Sequence, residues 1–175
     1  MNNIALIGFM GTGKTAVGKA LASKLGWQFI ELDSLIEEKA GKSVAEIFRQ
    51  DGEIAFRQLE IEAIREVSQG EKAVIACGGG VVLNQINIDR LRQKSIIVHL
   101  TVPPAVIRKR ILGDGGKRPL LNVADPRLAI RQLLKFRRPF YERAGDMRID
   151  TSGLSVDAIA EQIIARMKED EGFSP

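Results

Sequence analysis

Short apolar runs alternate along this chain with segments in which apolar residues recur at helical spacing. After the first run, for example, Val17, Leu21 and Leu25 fall on one face of a helix that Gly26 is placed to end. Strands that alternate with helices are typical of a parallel sheet covered on both faces. We therefore predict an α/β fold with three layers, α/β/α, around a central five-stranded parallel sheet. The five predicted strands are IALIG, WQFIEL, KAVIAC, SIIVHL and MRID.

A helical insertion is predicted between the second and third strands. Ser43 and Glu46 have the spacing of a capping box, which would open a short helix. Asp51-Gly52 interrupts that helix, and a second one, with Ile54, Leu59, Ile61 and Ile64, runs on to Gly70. Residues 33–61 of this insertion are predicted to bind the substrate.

A second irregular segment follows the fourth strand. The sequence LGDGGKRPLLNVADP contains three glycines and two prolines, and these residues interrupt helices and strands too often here for a regular element. We predict a mobile lid at 112–125. The last helix, SVDAIAEQIIARMK, is followed by a polar tail at 171–175 that we expect to be disordered.

Length and composition indicate one ordinary globular domain, which we place at 1–170. The chain has 175 residues, of which 45% are hydrophobic and 27% charged. No secretory signal pattern opens the chain and no apolar run approaches the length of a membrane span, so we expect a cytoplasmic protein that does not bind membranes. Cys77 and His99 are the single cysteine and histidine, and both lie in apolar strands, so core positions are favoured over a metal cluster.

The charge is unevenly distributed. The net charge is +4, and the basic excess is concentrated between residues 108 and 143, where few acidic residues oppose it. Nucleic-acid binding would favour aromatic residues interspersed among the basic ones, and these occur only near the end of the stretch. We therefore expect a small polyanion such as ATP and no nucleic acid.

The stretch LIGFMGTGKTAVG has the pattern G-x-x-x-x-G-K-[ST], a phosphate-binding P-loop. It follows a predicted strand and precedes a predicted helix, as that motif requires. The lysine would reach the β- and γ-phosphates of ATP, and the threonine hydroxyl would coordinate Mg²⁺. The expected nucleotide-binding residues are Gly11, Thr12, Gly13, Lys14, Thr15 and Ala16, and Thr15 is also the expected metal ligand.

Features outside the P-loop favour a small-molecule kinase of the P-loop NTPase type. The third strand ends in Cys-Gly-Gly-Gly without a Walker-B aspartate, and no guanine-reading Asn-Lys-x-Asp occurs. In an open parallel sheet the ligand lies beyond the carboxyl ends of the strands. Asp33 follows the second strand and Gly78 to Gly80 follow the third, so both are placed to meet an acceptor.

The motifs together resemble the shikimate kinase family. The resemblance is carried by GFMGTGKT, ELD, FRQLE, GGG, RPLL and RRPFYER, in this order, between about residues 4 and 150. It implies transfer of the γ-phosphate of ATP to the 3-hydroxyl of shikimate, in the biosynthesis of chorismate and the aromatic amino acids. It also implies a monomer.

The resemblance assigns roles to individual residues. Asp33 would hold hydroxyls of shikimate and accept the proton of the attacking one, whereas the alternative is that Asp33 only caps the following helix. Arg57 and Arg137 would clamp the shikimate carboxylate, with Glu60 paired to Arg57 and with Arg138 as the competitor for Arg137.

Three further residues complete the predicted site. Gly79 would donate its N–H to shikimate, although the three glycines also fit a tight turn that needs positive φ. Arg118 would close on the phosphates and, with Lys14 and Asp33, form the catalytic set. Arg110 would stack on adenine, with Arg108 and Lys109 as neighbouring alternatives.

The chain departs from the family pattern at one position. The family typically has Asp-x-Asp at the end of the second strand, and here Glu31 occupies the first of these positions. Glu31 is thus the predicted outer-shell ligand of Mg²⁺, and the alternative is that its side chain packs against the first helix.

Two other functions stay open from the sequence. One is a gluconate- or nucleotide-type kinase on the same scaffold, because gluconate also offers a carboxylate and hydroxyls to an arginine clamp. The other is a non-catalytic protein whose binding to a partner depends on nucleotide.

Overall fold

The computed structural model describes residues 2–113 and 123–169. Most of the predicted lid at 112–125, together with Arg118, lies outside the described residues. The predicted tail at 171–175 lies outside them as well.

The described residues form the predicted parallel five-stranded sheet. Its strands follow the spatial order β2-β3-β1-β4-β5, and every neighbouring pair is parallel. The strands are β1 (Asn3–Ile7), β2 (Gln28–Glu31), β3 (Ala73–Ala76), β4 (Ser95–Thr101) and β5 (Met147–Asp150). From β1 the chain first adds β2 and β3 on one side and then β4 and β5 on the other. At such a switch point a crevice forms at the carboxyl ends of the strands, here β1, β3 and β4.

The helices occupy both faces of the sheet. They are α1 (Lys14–Leu25), α2 (Leu32–Ala40), α3 (Val44–Gln50), α4 (Gly52–Val67), α5 (Gln85–Arg92), α6 (Pro104–Gly113), α7 (Pro126–Ala144) and α8 (Val156–Glu169). A short 3₁₀ helix, Val81–Leu83, follows β3. The predicted helical insertion between β2 and β3 is confirmed as α2, α3 and α4.

Alternating side chains of β1 build two cores. Ile4 and Leu6 pack with α1 and α8 on one face, and Ala5 and Ile7 face the other helices. All of these side chains are buried, which explains why β1 has an uninterrupted apolar sequence. The three-layer prediction is therefore confirmed.

Local signals fix several helix ends as predicted. Ser43 and Glu46 form both hydrogen bonds of the capping box at the start of α3. Gly26 ends α1 in the left-handed conformation, with φ of 66°.

The buried side chains of α4 differ from those that its apolar pattern predicts. Ile54 is 80% exposed, whereas Phe56 and Ile64 lie in the core.

Candidate active site

The P-loop joins β1 to α1 through glycines that need unusual backbone angles. Gly8, Gly11 and Gly13 have φ of 151°, 79° and 90°, where side-chain-bearing residues are strained. A Cβ on Gly8 would also lie 2.5 Å from the carbonyl oxygen of Leu100. Because α1 begins at Lys14, the N–H groups of its first turn lack acceptors within the helix and face the loop. This arrangement is suited to an anion.

The lysine and threonine of the P-loop are held in place by nearby oxygens. Lys14 Nζ donates to the carbonyl oxygens of Gly8 and Phe9, both at 2.9 Å. Thr15 Oγ1 donates to Glu31 Oε1 at 2.6 Å. The Glu31 carboxylate therefore lies against the start of α1, and it pairs there with the hydroxyl predicted to bind the metal.

This pair fits a magnesium site. Mg²⁺ takes hard oxygen ligands, keeps several waters, and is held by few protein groups together with substrate phosphates. The Thr15 hydroxyl and Glu31 carboxylate provide such oxygens beside the phosphate loop. Within residues 2–113 and 123–169 no cluster of three His, Cys, Asp or Glu side chains could hold a metal without such help.

Arg110 contacts the P-loop from α6. Its Nη1 donates to the carbonyl oxygen of Gly11 at 2.9 Å, and the rest of the side chain is exposed. Arg110 thus lies over the loop where a nucleotide would bind.

A cavity of about 330 Å³ lies beside the P-loop, at the carboxyl edge of the sheet. Four of the residues predicted to bind the substrate line it: Asp33, Arg57, Gly79 and Arg137. They come from α2, α4, the loop after β3 and α7, so the fold brings together side chains that are far apart in sequence. We call this space the acceptor cavity.

Arg57 and Glu60 form the predicted pair on one side of the acceptor cavity. Arg57 Nη1 donates to the two Glu60 carboxylate oxygens at 2.9 and 3.1 Å. Glu60 is fully buried, and this burial raises its pKa to about 7 even though the Arg57 charge opposes the shift. Arg57 also contacts Glu53 at 3.3 Å, which leaves its guanidinium positioned by carboxylates at the cavity wall.

Asp33 lines the same cavity, and one of its carboxylate oxygens is unsatisfied. Its Oδ1 is buried and has no hydrogen-bond partner among the described residues. Burial raises the pKa of Asp33, and the positive charge of Lys14 opposes this shift. The helix begins at Leu32 with Glu31 as its N-cap, so Asp33 lies within the first turn and the capping alternative is wrong.

Close side-chain packing explains two of the three glycines after β3, Gly78 and Gly80. None of Gly78, Gly79 and Gly80 has positive φ, so the prediction that they form a turn of that kind is wrong. A Cβ would instead lie 2.8 Å from Asp33 Oδ1 at Gly78 and 2.3 Å from Arg57 Nη1 at Gly80. The glycines therefore let these charged side chains approach the backbone.

Of the two adjacent arginines in α7, Arg137 lines the acceptor cavity. Arg137 is 2% exposed and its Nε has no partner among the described residues. Arg138 lies on the outside of the helix and pairs with Glu142 at 2.8 Å.

The Tyr141 hydroxyl is a site group that the sequence motifs do not predict. Tyr141 is buried one turn after Arg137, and its hydroxyl donates to the carbonyl oxygen of Gly79. Its spacing of four residues from Arg137 was the available signal, because residues at i and i+4 share one face of a helix.

The remaining polar candidates of the sequence are core residues, as predicted. Burial raises the pKa of the Cys77 thiol to about 12 and lowers the pKa of His99 to about 4, so neither group is charged near neutral pH.

None of the helices in the described residues combines the length and the apolar character that a membrane span requires.

Comparison with known proteins gives a consistent result. The family model for shikimate kinase matches residues 10–168. A shikimate kinase of Caldanaerobacter subterraneus subsp. tengcongensis is 49% identical over 164 residues, which cover 94% of this chain and 95% of the relative. One from Thermodesulfovibrio yellowstonii is 47% identical and covers 94% of each chain.

Solved structures agree with the sequence relatives. A shikimate kinase from Acinetobacter baumannii in complex with shikimate superposes with a TM-score of 0.93 at 35% identity, covering 99% of this chain and 96% of that one. A gluconokinase from Sinorhizobium meliloti, at a TM-score of 0.61 and 22% identity, shares the fold alone. The chain therefore belongs to the shikimate kinase family, whose members are ATP-dependent phosphotransferases.

Proposed function

We propose that this protein transfers the γ-phosphate of Mg-ATP to the 3-hydroxyl of shikimate, giving shikimate 3-phosphate and ADP. The main support for this proposal is the set of residues that line the acceptor cavity. Asp33, which has one carboxylate oxygen without a partner among the described residues, lines this cavity together with Arg57 and Arg137. The relative from A. baumannii with shikimate bound supports the same acceptor.

The two arginines suit the carboxylate of shikimate. A guanidinium meets a carboxylate with two parallel N–H donors, and such charge-assisted bonds are stronger than neutral ones. Arg137 is almost completely buried, with an unsatisfied Nε, so an incoming carboxylate would satisfy a polar group that folding leaves unpaired. The Gly79 N–H is proposed as a further donor to shikimate.

Asp33 is proposed to orient the attacking hydroxyl and to take its proton. As the bond forms between the hydroxyl oxygen and the γ-phosphorus, the bond from that phosphorus to the β-phosphate oxygen breaks and ADP leaves. The proton of the hydroxyl passes to the Asp33 carboxylate. Burial raises the pKa of this carboxyl, which makes it a better proton acceptor than an exposed aspartate.

The P-loop, Lys14 and the first turn of α1 are proposed to hold the ATP phosphates. Mg²⁺, when bound, offsets the charge on the β- and γ-phosphate oxygens. Thr15 and Glu31 are the residues proposed to hold it, and Arg110 is proposed to lie against the nucleotide. A catalytic contact of Arg118 with the phosphates is proposed from the RPLL motif alone.

The experiment that tests the function measures ADP release from Mg-ATP by the purified protein. Shikimate, gluconate, a nucleoside monophosphate or no acceptor is added in parallel. We expect release that depends on shikimate. Release with gluconate or the nucleotide instead would assign the arginines to another acceptor, and no release with any of them would favour a binding protein.

Replacement of Asp33 tests the proposed chemistry. Asp33→Asn keeps the size of the side chain but removes its ability to accept the proton, so we expect kcat to fall about 100-fold or more. Glu38→Gln is the matched control, because Glu38 is an exposed carboxylate on the same helix. Turnover of Asp33→Asn equal to that of the control would exclude Asp33 from the chemistry.

A further inference from the structure

A second and larger cavity, of about 690 Å³, shares no lining residue with the acceptor cavity. We call it the rear cavity. Its lining includes Leu100 of β4, Val102 just after that strand, Phe9 of the P-loop and residues of α6 and α7.

The rear cavity is distinct from the proposed catalytic site. Asp33, Arg57 and Arg137 do not line it. Of the described residues proposed to bind nucleotide or shikimate, Thr12 alone does, and its hydroxyl turns inward to the Phe9 carbonyl oxygen at 2.8 Å.

Four basic side chains line the rear cavity without forming an ion pair among the described residues. Arg108, Arg131, Lys135 and Arg148 line it from α6, α7 and β5, and each is exposed. Among the described residues none of the four forms an ion pair with a carboxylate. Glu142 and Asp150 partly offset the charge of Arg148, and the other three cations are available to an anionic ligand.

Two carboxylates also line the rear cavity, where they are outnumbered by the basic side chains. Glu142 pairs with Arg138 at 2.8 Å. Asp150 accepts hydrogen bonds from the hydroxyl and the backbone N–H of Ser152 at 2.6 and 2.9 Å. The cavity thus combines positive charge with an apolar wall, and this combination fits an organic anion better than a bare inorganic one.

Tyr141 connects the rear cavity to the acceptor cavity. Its ring stacks on His99, with ring centroids 5.2 Å apart, and both side chains line the rear cavity. The Tyr141 hydroxyl donates to the carbonyl oxygen of Gly79, whose backbone lines the acceptor cavity. An occupant of the rear cavity would therefore contact a residue that holds the acceptor-binding loop.

We propose that the rear cavity is a second ligand site, which takes a small organic anion with an apolar ring, and that its occupancy changes the affinity of the acceptor cavity through Tyr141. The binding part of this proposal is independent of the proposed function. The coupling part rests on shikimate being the acceptor.

Isothermal titration calorimetry with phenyl phosphate tests the binding part. The protein is first saturated with Mg-ADP, so that the P-loop is filled. We expect phenyl phosphate to bind one site per chain, and inorganic phosphate to bind about tenfold more weakly because it lacks the ring. Arg131→Ala and Lys135→Ala should each weaken phenyl phosphate about tenfold.

Arg65→Ala is the control, because Arg65 is an exposed arginine of α4 outside this cavity. If the wild type, the control and both α7 variants bound phenyl phosphate with equal affinity, the rear cavity would not be its binding site. The same conclusion would follow if no heat were detected in the ADP-saturated protein, since binding would then belong to the P-loop or not occur.

Titration of shikimate with and without saturating phenyl phosphate tests the coupling. We expect the Kd for shikimate to change at least threefold in the wild type and to stay constant in Tyr141→Phe, which lacks the hydroxyl bonded to Gly79. An unchanged Kd in the wild type would overturn the coupling. Failure of shikimate to bind in either condition would instead contradict the proposed function. The phenyl phosphate titration would still show whether the rear cavity binds an organic anion.

Discussion

At the scale of single residues, Gly80 keeps space for the guanidinium of Arg57. Its backbone angles, φ of −102° and ψ of 0°, are open to any L-residue, so conformational freedom does not explain the glycine. Lack of space explains it, because a Cβ added at this position would lie 2.3 and 2.4 Å from the two Arg57 Nη atoms. The arginine side chain is flexible at that end, so a methyl group there would displace Arg57 and leave the fold intact.

Gly80→Ala is therefore expected to raise the KM for shikimate about tenfold, because Arg57 would lose its position at the cavity wall. The KM for ATP should stay within about twofold. Gly70→Ala is the matched control, since a Cβ at Gly70 comes no closer than 3.6 Å to another atom. Steady-state kinetics decide the question, and an unchanged KM for shikimate in Gly80→Ala would contradict the packing argument.

Glu60 gives a pH-dependent prediction at the same scale. Its pKa is about 7 in the folded protein, above the ordinary glutamate pKa of 4.5, so between these pH values the folded state holds a proton that the unfolded chain has released. The unfolding free energy therefore falls as pH rises through this window. In Glu60→Gln that contribution is absent, so the stability of the variant should fall less steeply from pH 4.5 to 7.

Urea unfolding at several pH values measures the two slopes. Glu62→Gln, at an exposed position of the same helix, should keep the wild-type slope. Parallel curves for the wild type and Glu60→Gln would show that Glu60 does not titrate in this range.

At the scale of elements, α1 packs unusually closely on the sheet. Gly18 lies in the middle of this helix, and a Cβ there would approach the Phe29 ring of β2 to 2.6 Å. Glycine lowers helix propensity by about 1 kcal/mol relative to alanine, so its presence in α1 reflects the packing distance. This contact sets how closely the start of α1, with Lys14 and Thr15, is held to the carboxyl edge of the sheet.

Gly18→Ala should accordingly destabilise the protein by about 1–3 kcal/mol, although helix propensity alone predicts the opposite sign. Ser23→Ala, at an exposed position of the same helix, should be neutral or slightly stabilising. Urea unfolding measures both. A Gly18→Ala variant as stable as Ser23→Ala would mean that the sheet and α1 move apart at little cost.

At the scale of the whole molecule, the proposed nucleotide and acceptor sites share one sheet edge but use different elements. The P-loop and α1 form the first site, whereas α2, α4, the loop after β3 and α7 supply the second. This division allows the two substrates to be bound independently and brought together at the switch point of the sheet.

Arg57→Ala is the test of that division. It should raise the Kd for shikimate about 10–100-fold by removing a charge-assisted contact, and leave the Kd for ATP within about twofold. Titration calorimetry with each ligand measures the two values, and Arg65→Ala on the same helix serves as the control. A comparable loss of ATP affinity would mean that Arg57 supports the P-loop, in contradiction to the proposed assignment.

The sequence by itself determined the strands, the helical insertion, the capping box and the P-loop. These features depend on neighbours within a few residues: apolar periodicity, glycines that permit positive φ, and hydrogen bonds between Ser43 and Glu46. Family resemblance added Asp33, Arg57, Gly79 and Arg137, which the structure brings to one cavity.

Tertiary structure alone decided what surrounds those residues. The burial of Glu60 and the hydrogen bond from Tyr141 to Gly79 both depend on elements that are distant in sequence. The reason that Gly78 and Gly80 are glycines lies in side chains of α2 and α4, not in their own backbone angles. Such contacts depend on how helices and strands pack in three dimensions, and periodicity along one element shows which residues share a face but not which partners that face meets.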